Sequence, residues 1–174
     1  MDDNDNEVPV GQIGEIVLKG DCFSIHGYLN RPDVNAEVYR NGWFHSGDIG
    51  SVDEHGYLAV ADRKQDLIIT GGQNIYPAEV EEVLYTHDKV RMAAVIGIPD
   101  ADKGELAKAY IVLKEGQEAT EKEIIDYVRS RIAKFKAPRL VDFVKSLPQG
   151  PTGKLLKRKL REMVKKQQDA QRTC

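Results

Sequence analysis

The chain is poor in several things, and each shortage removes a class of explanation. It has two cysteines, Cys22 and Cys174, far apart and one of them terminal, so no disulfide framework is expected. Its four histidines, His26, His45, His55 and His87, have no metal-ligand spacing. No catalytic Ser-His or Cys-His arrangement stands out. No apolar run approaches the ~18 residues that a membrane span needs. The start, Met1-Asp2-Asp3-Asn4-Asp5-Asn6-Glu7, is acidic and unlike a secretory or mitochondrial leader. A reducing, cytoplasmic setting is the expectation. No internal repeat is present, and the lone tryptophan, Trp43, reads as a packing residue.

What is present is a balanced globular composition: 174 residues, 41% hydrophobic and 30% charged, with a net charge of -3. The charge is unevenly placed. Residues 1–66 hold thirteen acids and five bases, whereas residues 129–166 hold thirteen bases and two acids, Asp142 and Glu162. A basic end points to a polyanionic partner, either nucleic acid or a phosphorylated small molecule.

The hydrophobic pattern divides the chain. Up to about residue 61, short apolar stretches such as Glu15–Lys19 and Tyr57–Ala61 alternate with turn signals, among them Asn41-Gly42 and Asp53–Gly56. No helix strong enough to cover them is apparent, so this part reads as the edge of something larger. The polar stretch Asp62–Asp66 follows. Beyond it come a short strand at 67–70 turned by Gly71-Gly72, a helix over 77–86 opened by Pro77, and apolar strands at 90–98 and 106–113. Thr120 with Glu123 forms a capping box for a helix over 121–132. A strand at 140–144 and a final basic helix over about 155–167 complete the pattern, the last with Leu156, Leu160, Met163 and Val164 inward. The predicted class is α+β. A small carboxyl-terminal domain has a central, mostly antiparallel three-stranded sheet, a β-hairpin and about three helices. Strands from the end of a larger domain precede it. The predicted division is 1–64 and 65–174, with a hinge near 62–66.

The most pointed local feature is Gly150-Pro151-Thr152-Gly153-Lys154. Two glycines and a proline carry a lysine just ahead of the basic helix. The phosphate-cradling P-loop requires G-x-x-x-x-G-K-[ST], and here Pro148 and Leu155 break it at both ends. Lys154 must therefore act as a point charge on a mobile loop.

Three stretches, in order, resemble one family. Gly42-Trp43-Phe44-His45-Ser46-Gly47-Asp48 resembles a G-W-x-x-T-G-D motif. The run from Asp62 to Glu81, with Arg63, Gln65, Gly71, Gly72, Asn74 and Pro77 in register, resembles D-R-x-x-D-x-I-x-x-G-G-x-N-I-x-P-x-E-V-E. Pro148–Arg158 resembles L-P-x-x-x-x-G-K followed by apolar residues. The family is the adenylate-forming enzymes: acyl-CoA synthetases, peptide-synthetase adenylation domains and beetle luciferases. The likeness runs from about Pro9 to Met163 and covers only the carboxyl-terminal portion of the family's longer chain. Within the family, Gly71 to Glu81 looks most like a fatty or aryl acyl-CoA synthetase.

The resemblance implies a chemistry. A carboxylate attacks the α-phosphorus of ATP, giving acyl-AMP and pyrophosphate, and the thiol of CoA then displaces AMP. It implies Lys154 as the cation serving the first step. It implies Asp48 on the ribose hydroxyls, a vicinal diol that matches the two oxygens of a carboxylate, with Arg63 beside it. Gln65 takes the hinge position, where Lys or Asp is commoner. On the family pattern the small domain swings about it, exchanging Lys154 for the Gly71-Gly72 turn at the adenylate. That turn is implied to line the pantetheine channel, and Phe135, Arg139 and Lys103 to meet the CoA nucleotide. Lys103 stands where some relatives place a tryptophan, and Ser46 where threonine is common. Ile69 replaces a second functional lysine of the luciferases, which argues against light-emitting chemistry. Implied partners are a carboxylic acid, ATP, CoA and the large amino-terminal domain of the same protein. Magnesium is expected with ATP, held mainly by that domain, and no metal site is expected in this chain. Two other readings fit the sequence less well. One is an adenylation domain that loads a carrier protein. The other, from a different class, is a basic RNA-binding module over 129–166, disfavoured by its having only two aromatics, Phe135 and Phe143, and by the lack of an RNP-like strand.

Overall fold

Asn41 and Gly42 both take left-handed backbone angles, φ 52° and 78°, and the tight turn they make starts the first sheet of the computed structural model. The structure describes residues 1–20 and 27–172, with side chains through residue 166. Cys22, His26 and Cys174 lie outside the described residues. The chain separates into two compact units, Met1–Gln65 and Asp66–Cys174.

In the first unit the long strand β3 (Trp43–Val52) is central; the others are β1 (Gly14–Leu18), β2 (Tyr39–Arg40) and β4 (Leu58–Arg63). β1 lies antiparallel along one side of β3, and β2 and β4 pair with successive parts of the other. The short helix α1 (Pro32–Val38) buries no residue. Ile49 is the one fully buried apolar side chain of this unit among the described residues, while Leu58, Val60 and Tyr57 are 51%, 64% and 74% exposed. A sheet of this size without a covering layer has little core of its own.

Its interior is instead ionic. Glu15 is buried, and its carboxylate is met by Lys64 at 3.0 Å and His45 at 3.2 Å, with Arg40 at 3.5 Å. Lys64 also reaches Asp3 at 2.8 Å. Burial pushes the Glu15 carboxyl up, but the hydrogen bonds from Lys64 and His45 outweigh it and hold the pKa below its ordinary value.

The second unit is built on β7 (Val90–Asp100) and β8 (Gly104–Leu113), an antiparallel pair in register along nearly its whole length. The hairpin strands β5 (Ile68–Thr70) and β6 (Gln73–Ile75) join β8 through Thr70 opposite Gly104, and β9 (Leu140–Phe143) runs parallel to β8. The expected three strands and separate hairpin thus form one five-stranded sheet, ordered β6-β5-β8-β7 with β9 beside β8.

Strand side chains alternate between faces, and here both faces are covered. Ala93, Val95, Ala109 and Ile111 pack with Val80 and Leu84 of α2 (Pro77–Tyr85) and Ile124 and Val128 of α3 (Glu121–Arg129). Ala94, Ile96, Tyr110 and Val112 pack with Leu147 and with Leu160 of α4 (Lys157–Arg172). This double burial explains the unbroken apolar runs. Pro77 occupies the start of α2, and Thr120 caps α3 by accepting from the Glu123 amide at 3.2 Å. The last helix differs in detail from its expected form. It begins two residues later because Leu155 pairs with Gln149, and Met163 is 53% exposed, whereas Leu155 packs inward.

The ionic centre of the first unit makes a prediction. A carboxyl whose folded pKa is depressed stabilises the fold above its ordinary value of 4.5, and that stability is lost as pH falls below it. Glu15→Gln should therefore flatten the acid limb of the unfolding profile of Met1–Gln65, followed by circular dichroism from pH 6 to 3. An acid limb as steep as in the unchanged protein would place the sensitivity elsewhere.

Candidate functional site

The residues singled out from the sequence fall into three groups, each held within one unit. In the first unit, Asp48 lies directly across from Arg63 on β3 and β4. Arg63 Nε donates to Asp48 Oδ1 at 2.8 Å, so the arginine pairs with this acid. Ser46 Oγ accepts from the Asp48 amide at 3.1 Å and donates to the Ile16 carbonyl at 2.7 Å. Gly47 between them has φ 72°, which a side chain would strain. The pair is half-exposed, 49% for Arg63 and 33% for Asp48, and so open to a ligand. Arg63 and Gln65 also line a polar recess of about 430 Å³ with Glu15, Arg40 and His45. Gln65 is exposed and is the last residue of this unit.

The second group lines a cleft of about 290 Å³ in the second unit. Gly71, Lys103, Phe135 and Arg139, far apart in sequence, are all on its wall, with Thr70 and Gln73 added. Three backbone ties bring them there. The Gly71 amide donates to the Lys103 carbonyl at 2.9 Å, the Arg139 amide to the Ala107 carbonyl at 2.8 Å, and the Ile69 amide to Glu105 Oε2 at 3.1 Å. Lys136 holds the Phe135 segment to α2 through both oxygens of Glu79, at 2.8 and 2.7 Å. The ammonium of Lys103 and the guanidinium of Arg139 are exposed and have no ion-pair partner among the described residues. An aromatic flanked by two uncommitted cations suits a flat, anionic ligand. Gly72 completes the adjoining turn and is not on the cleft wall.

Lys154 forms the third group. Its loop is not the slack tether expected from its glycines. Gly150 N donates to the Lys154 carbonyl at 2.8 Å, Gly153 N to the Gly150 carbonyl at 2.9 Å, and Leu156 N to the Pro148 carbonyl at 2.8 Å. These amides are used internally, so no anion nest remains. Gly153 takes φ 78° to close the turn. Lys154 stands at its end, exposed, with no ion-pair partner among the described residues. The freedom lies in the side chain, and the backbone aims it.

Sequence reasoning missed two ion pairs just behind this turn. Asp66, read as part of a polar break, is buried and bonded to Arg161 at 2.6 Å. Glu81, placed from the sequence at the end of a family motif, meets Lys157 at 2.9 Å. Charged residues so far apart in sequence give no local signal of pairing. Among the described residues no cluster of His, Cys, Asp or Glu could hold a metal, and no helix is long and apolar enough to cross a membrane.

Residues 79–154 match the family of AMP-binding enzyme C-terminal domains. Over 149 residues the chain is 47% identical to the long-chain-fatty-acid–CoA ligase of Bacillus subtilis, which covers 86% of this chain and 26% of that one. It is 47% identical over 154 residues to a feruloyl-CoA synthase of Amycolatopsis, covering 88% and 31%. Among solved structures it superposes on the o-succinylbenzoate CoA synthetase of Bacillus subtilis in complex with its acyl-adenylate OSB-AMP, with a TM-score of 0.80 at 40% identity, covering 88% and 31%. The ATP-bound RpMatB-BxBclM chimera B3 gives a TM-score of 0.84 at 39% identity, covering 94% and 33%. The chain therefore carries, at residues 79–154, an AMP-binding enzyme C-terminal domain, and over most of its length it is similar to the carboxyl-terminal portion of adenylate-forming enzymes. It spans about a quarter to a third of the length of the relatives it matches.

The turn beside the cleft yields a prediction. Gly72 has φ 77° and nothing within 4 Å of an added Cβ, so Gly72→Ala tests backbone strain alone. It should destabilise the second unit by about 1–2 kcal/mol, and Gly72→Asn by less. Denaturant midpoints measure this, and equal midpoints for all three proteins would show that the turn relaxes.

Proposed function

We propose that the chain is the carboxyl-terminal part of an ATP-dependent acyl-CoA synthetase acting on a fatty or aryl carboxylic acid, and that it works with a large nucleotide-binding domain of the same protein in the cytoplasm. The carboxylate oxygen attacks the α-phosphorus of ATP and pyrophosphate leaves. The CoA thiol then attacks the acyl carbon, AMP leaves, and a thioester remains. The observation that carries this reading is Lys154, an exposed ammonium with no ion-pair partner among the described residues, standing at the end of a hydrogen-bonded turn.

Both reactants of the first step are anionic. A cation aimed at the oxygens between them lowers the barrier by stabilising charge that develops in the transition state. Lys154 takes that role. Asp48 accepts from the ribose hydroxyls of the nucleotide, and its pairing with Arg63 orients it for the task. Magnesium would accompany ATP, with its ligands outside this chain.

For the second step the cleft of Gly71, Lys103, Phe135 and Arg139 takes the nucleotide end of CoA. Phe135 offers a face for adenine and the two cations offer charge for phosphates. The turn of Gly71 and Gly72 lets the thin pantetheine arm pass close to backbone. The two steps need different groups at one place, so the second unit pivots at Gln65, the residue where the two units divide. The domains assigned are 1–64 for the end of the large domain and 65–174 for the mobile one. Support comes from three of the relatives named above, a long-chain-fatty-acid–CoA ligase, a feruloyl-CoA synthase and an o-succinylbenzoate CoA synthetase.

In the full-length enzyme, Lys154→Ala should lower carboxylate-dependent pyrophosphate exchange by about 100- to 1000-fold, while supplied acyl-adenylate is still converted to thioester. If both half-reactions proceed undiminished, Lys154 is not the adenylation cation. Gln65→Pro should do the reverse, sparing exchange and blocking thioester formation, because proline fixes φ at the proposed pivot. Equal loss in the two steps would remove Gln65 from that role.

A further inference from the structure

We propose that Arg161 and Lys157 are positioning residues: two ion pairs, one buried and one part-buried, clamp α4, and with it the Lys154 turn, to the first residue of the second unit and to α2. The inference rests on the reading of Lys154 given above and extends it to what aims the ammonium.

Arg161 and Lys157 are one helical turn apart, so they share a face of α4. The buried Leu160 sits between them in sequence, within the packed layer under the sheet. Arg161 Nη2 lies 2.6 Å from Asp66 Oδ1; the Asp66 side chain is 11% exposed and that of Arg161 31%. Lys157 Nζ lies 2.9 Å from Glu81 Oε1, and both side chains are 14% exposed. Glu81 Oε1 also accepts from the Val95 amide at 2.7 Å. β7 is an edge strand, so this carboxylate ties α2, the free edge of the sheet and α4 together at one point.

No slack separates this clamp from Lys154. The turn is hydrogen-bonded through Leu156, and α4 begins at Lys157. The Leu160 amide donates to the Leu156 carbonyl at 3.3 Å, which joins the end of the turn to the helix. Where α4 sits therefore fixes where Lys154 points. Asp66, at the other end of one pair, follows the proposed pivot Gln65 directly. Motion at the pivot is thereby delivered to Lys154 through a charge-assisted bond of fixed direction. Apolar packing tolerates small sliding of a helix on a sheet, whereas a charge-assisted hydrogen bond does not. A buried ion pair is a poor source of net stability, which leaves register as the function of these two.

The test separates register from stability. Arg161→Met and Lys157→Met, each with its acid partner replaced (Asp66→Asn or Glu81→Gln), remove the charge and nearly keep the volume. In the 174-residue chain, amide exchange followed by NMR should accelerate about tenfold at Gly150, Gly153 and Leu156, while Ala109 and Ile111 in β8 keep their protection. In the full-length enzyme the same variants should lower kcat for pyrophosphate exchange about tenfold or more with little change in KM for ATP, because only transition-state alignment is lost. Conversion of supplied acyl-adenylate should be unaltered, and the single changes Arg161→Lys and Lys157→Arg should recover part of the rate. Unchanged protection at residues 150–156 overturns the clamp. Should the Met variants lose β8 protection as well, the single Arg161→Gln and Lys157→Gln changes are read instead, and wild-type protection in both overturns it too. If protection falls but adenylation stays intact while Lys154→Ala is crippled, the clamp has no catalytic role and the proposal fails with the reading of Lys154 standing. If Lys154→Ala itself is silent, that reading fails, and the amide data still decide whether the clamp exists.

Discussion

The antiparallel ribbon of β7 and β8 is the constraint from which the second unit follows. Its two strands are apolar on both faces, so a layer is required on each side. Val80, Leu84, Ile124 and Val128 supply one and Leu147 with Leu160 the other. Once those helices are placed, the surface positions follow. The turn after β5 is brought to the start of β8, the loop before β9 is brought to Ala107, and the cleft forms between them. The site residues are peripheral, but their places are dictated by a core they do not join.

The first unit obeys a different rule. With Ile49 its one fully buried apolar side chain among the described residues, it is organised by charge around Glu15. A carboxylate ringed by Lys64, His45 and Arg40 repays its burial only if the geometry is kept, which gives that unit direction but little reserve of hydrophobic stability. The Asp48–Arg63 pair stands on the same small sheet. Its register across β3 and β4 comes from backbone pairing, and the two side chains meet as a result.

Much of this was legible before any coordinates. Pro77, the Thr120 capping box and the apolar stripes of α2 and α3 carry local signals strong enough to place those helices within a few residues. The start of α4 was less legible, because the pairing of Leu155 with Gln149 competes with helix and is decided by contacts outside the segment. Met163 has the right spacing to be buried, yet half of it lies in solvent, while its neighbour Val164 packs against the core.

The sequence by itself determined the α+β class, the apolar ribbon and the motifs that mark an adenylate-forming enzyme, because these depend on local periodicity and on residues close together in the chain. Only the tertiary structure decided that Gly71, Lys103, Phe135 and Arg139 share one wall, that Lys154 rides on a hydrogen-bonded turn, and that Asp66 and Glu81 reach Arg161 and Lys157. Partners separated by 95 residues, as Asp66 and Arg161 are, leave no imprint on their neighbours. Their meeting is fixed by how the sheet and its two helix layers pack, and that is a property of the whole unit.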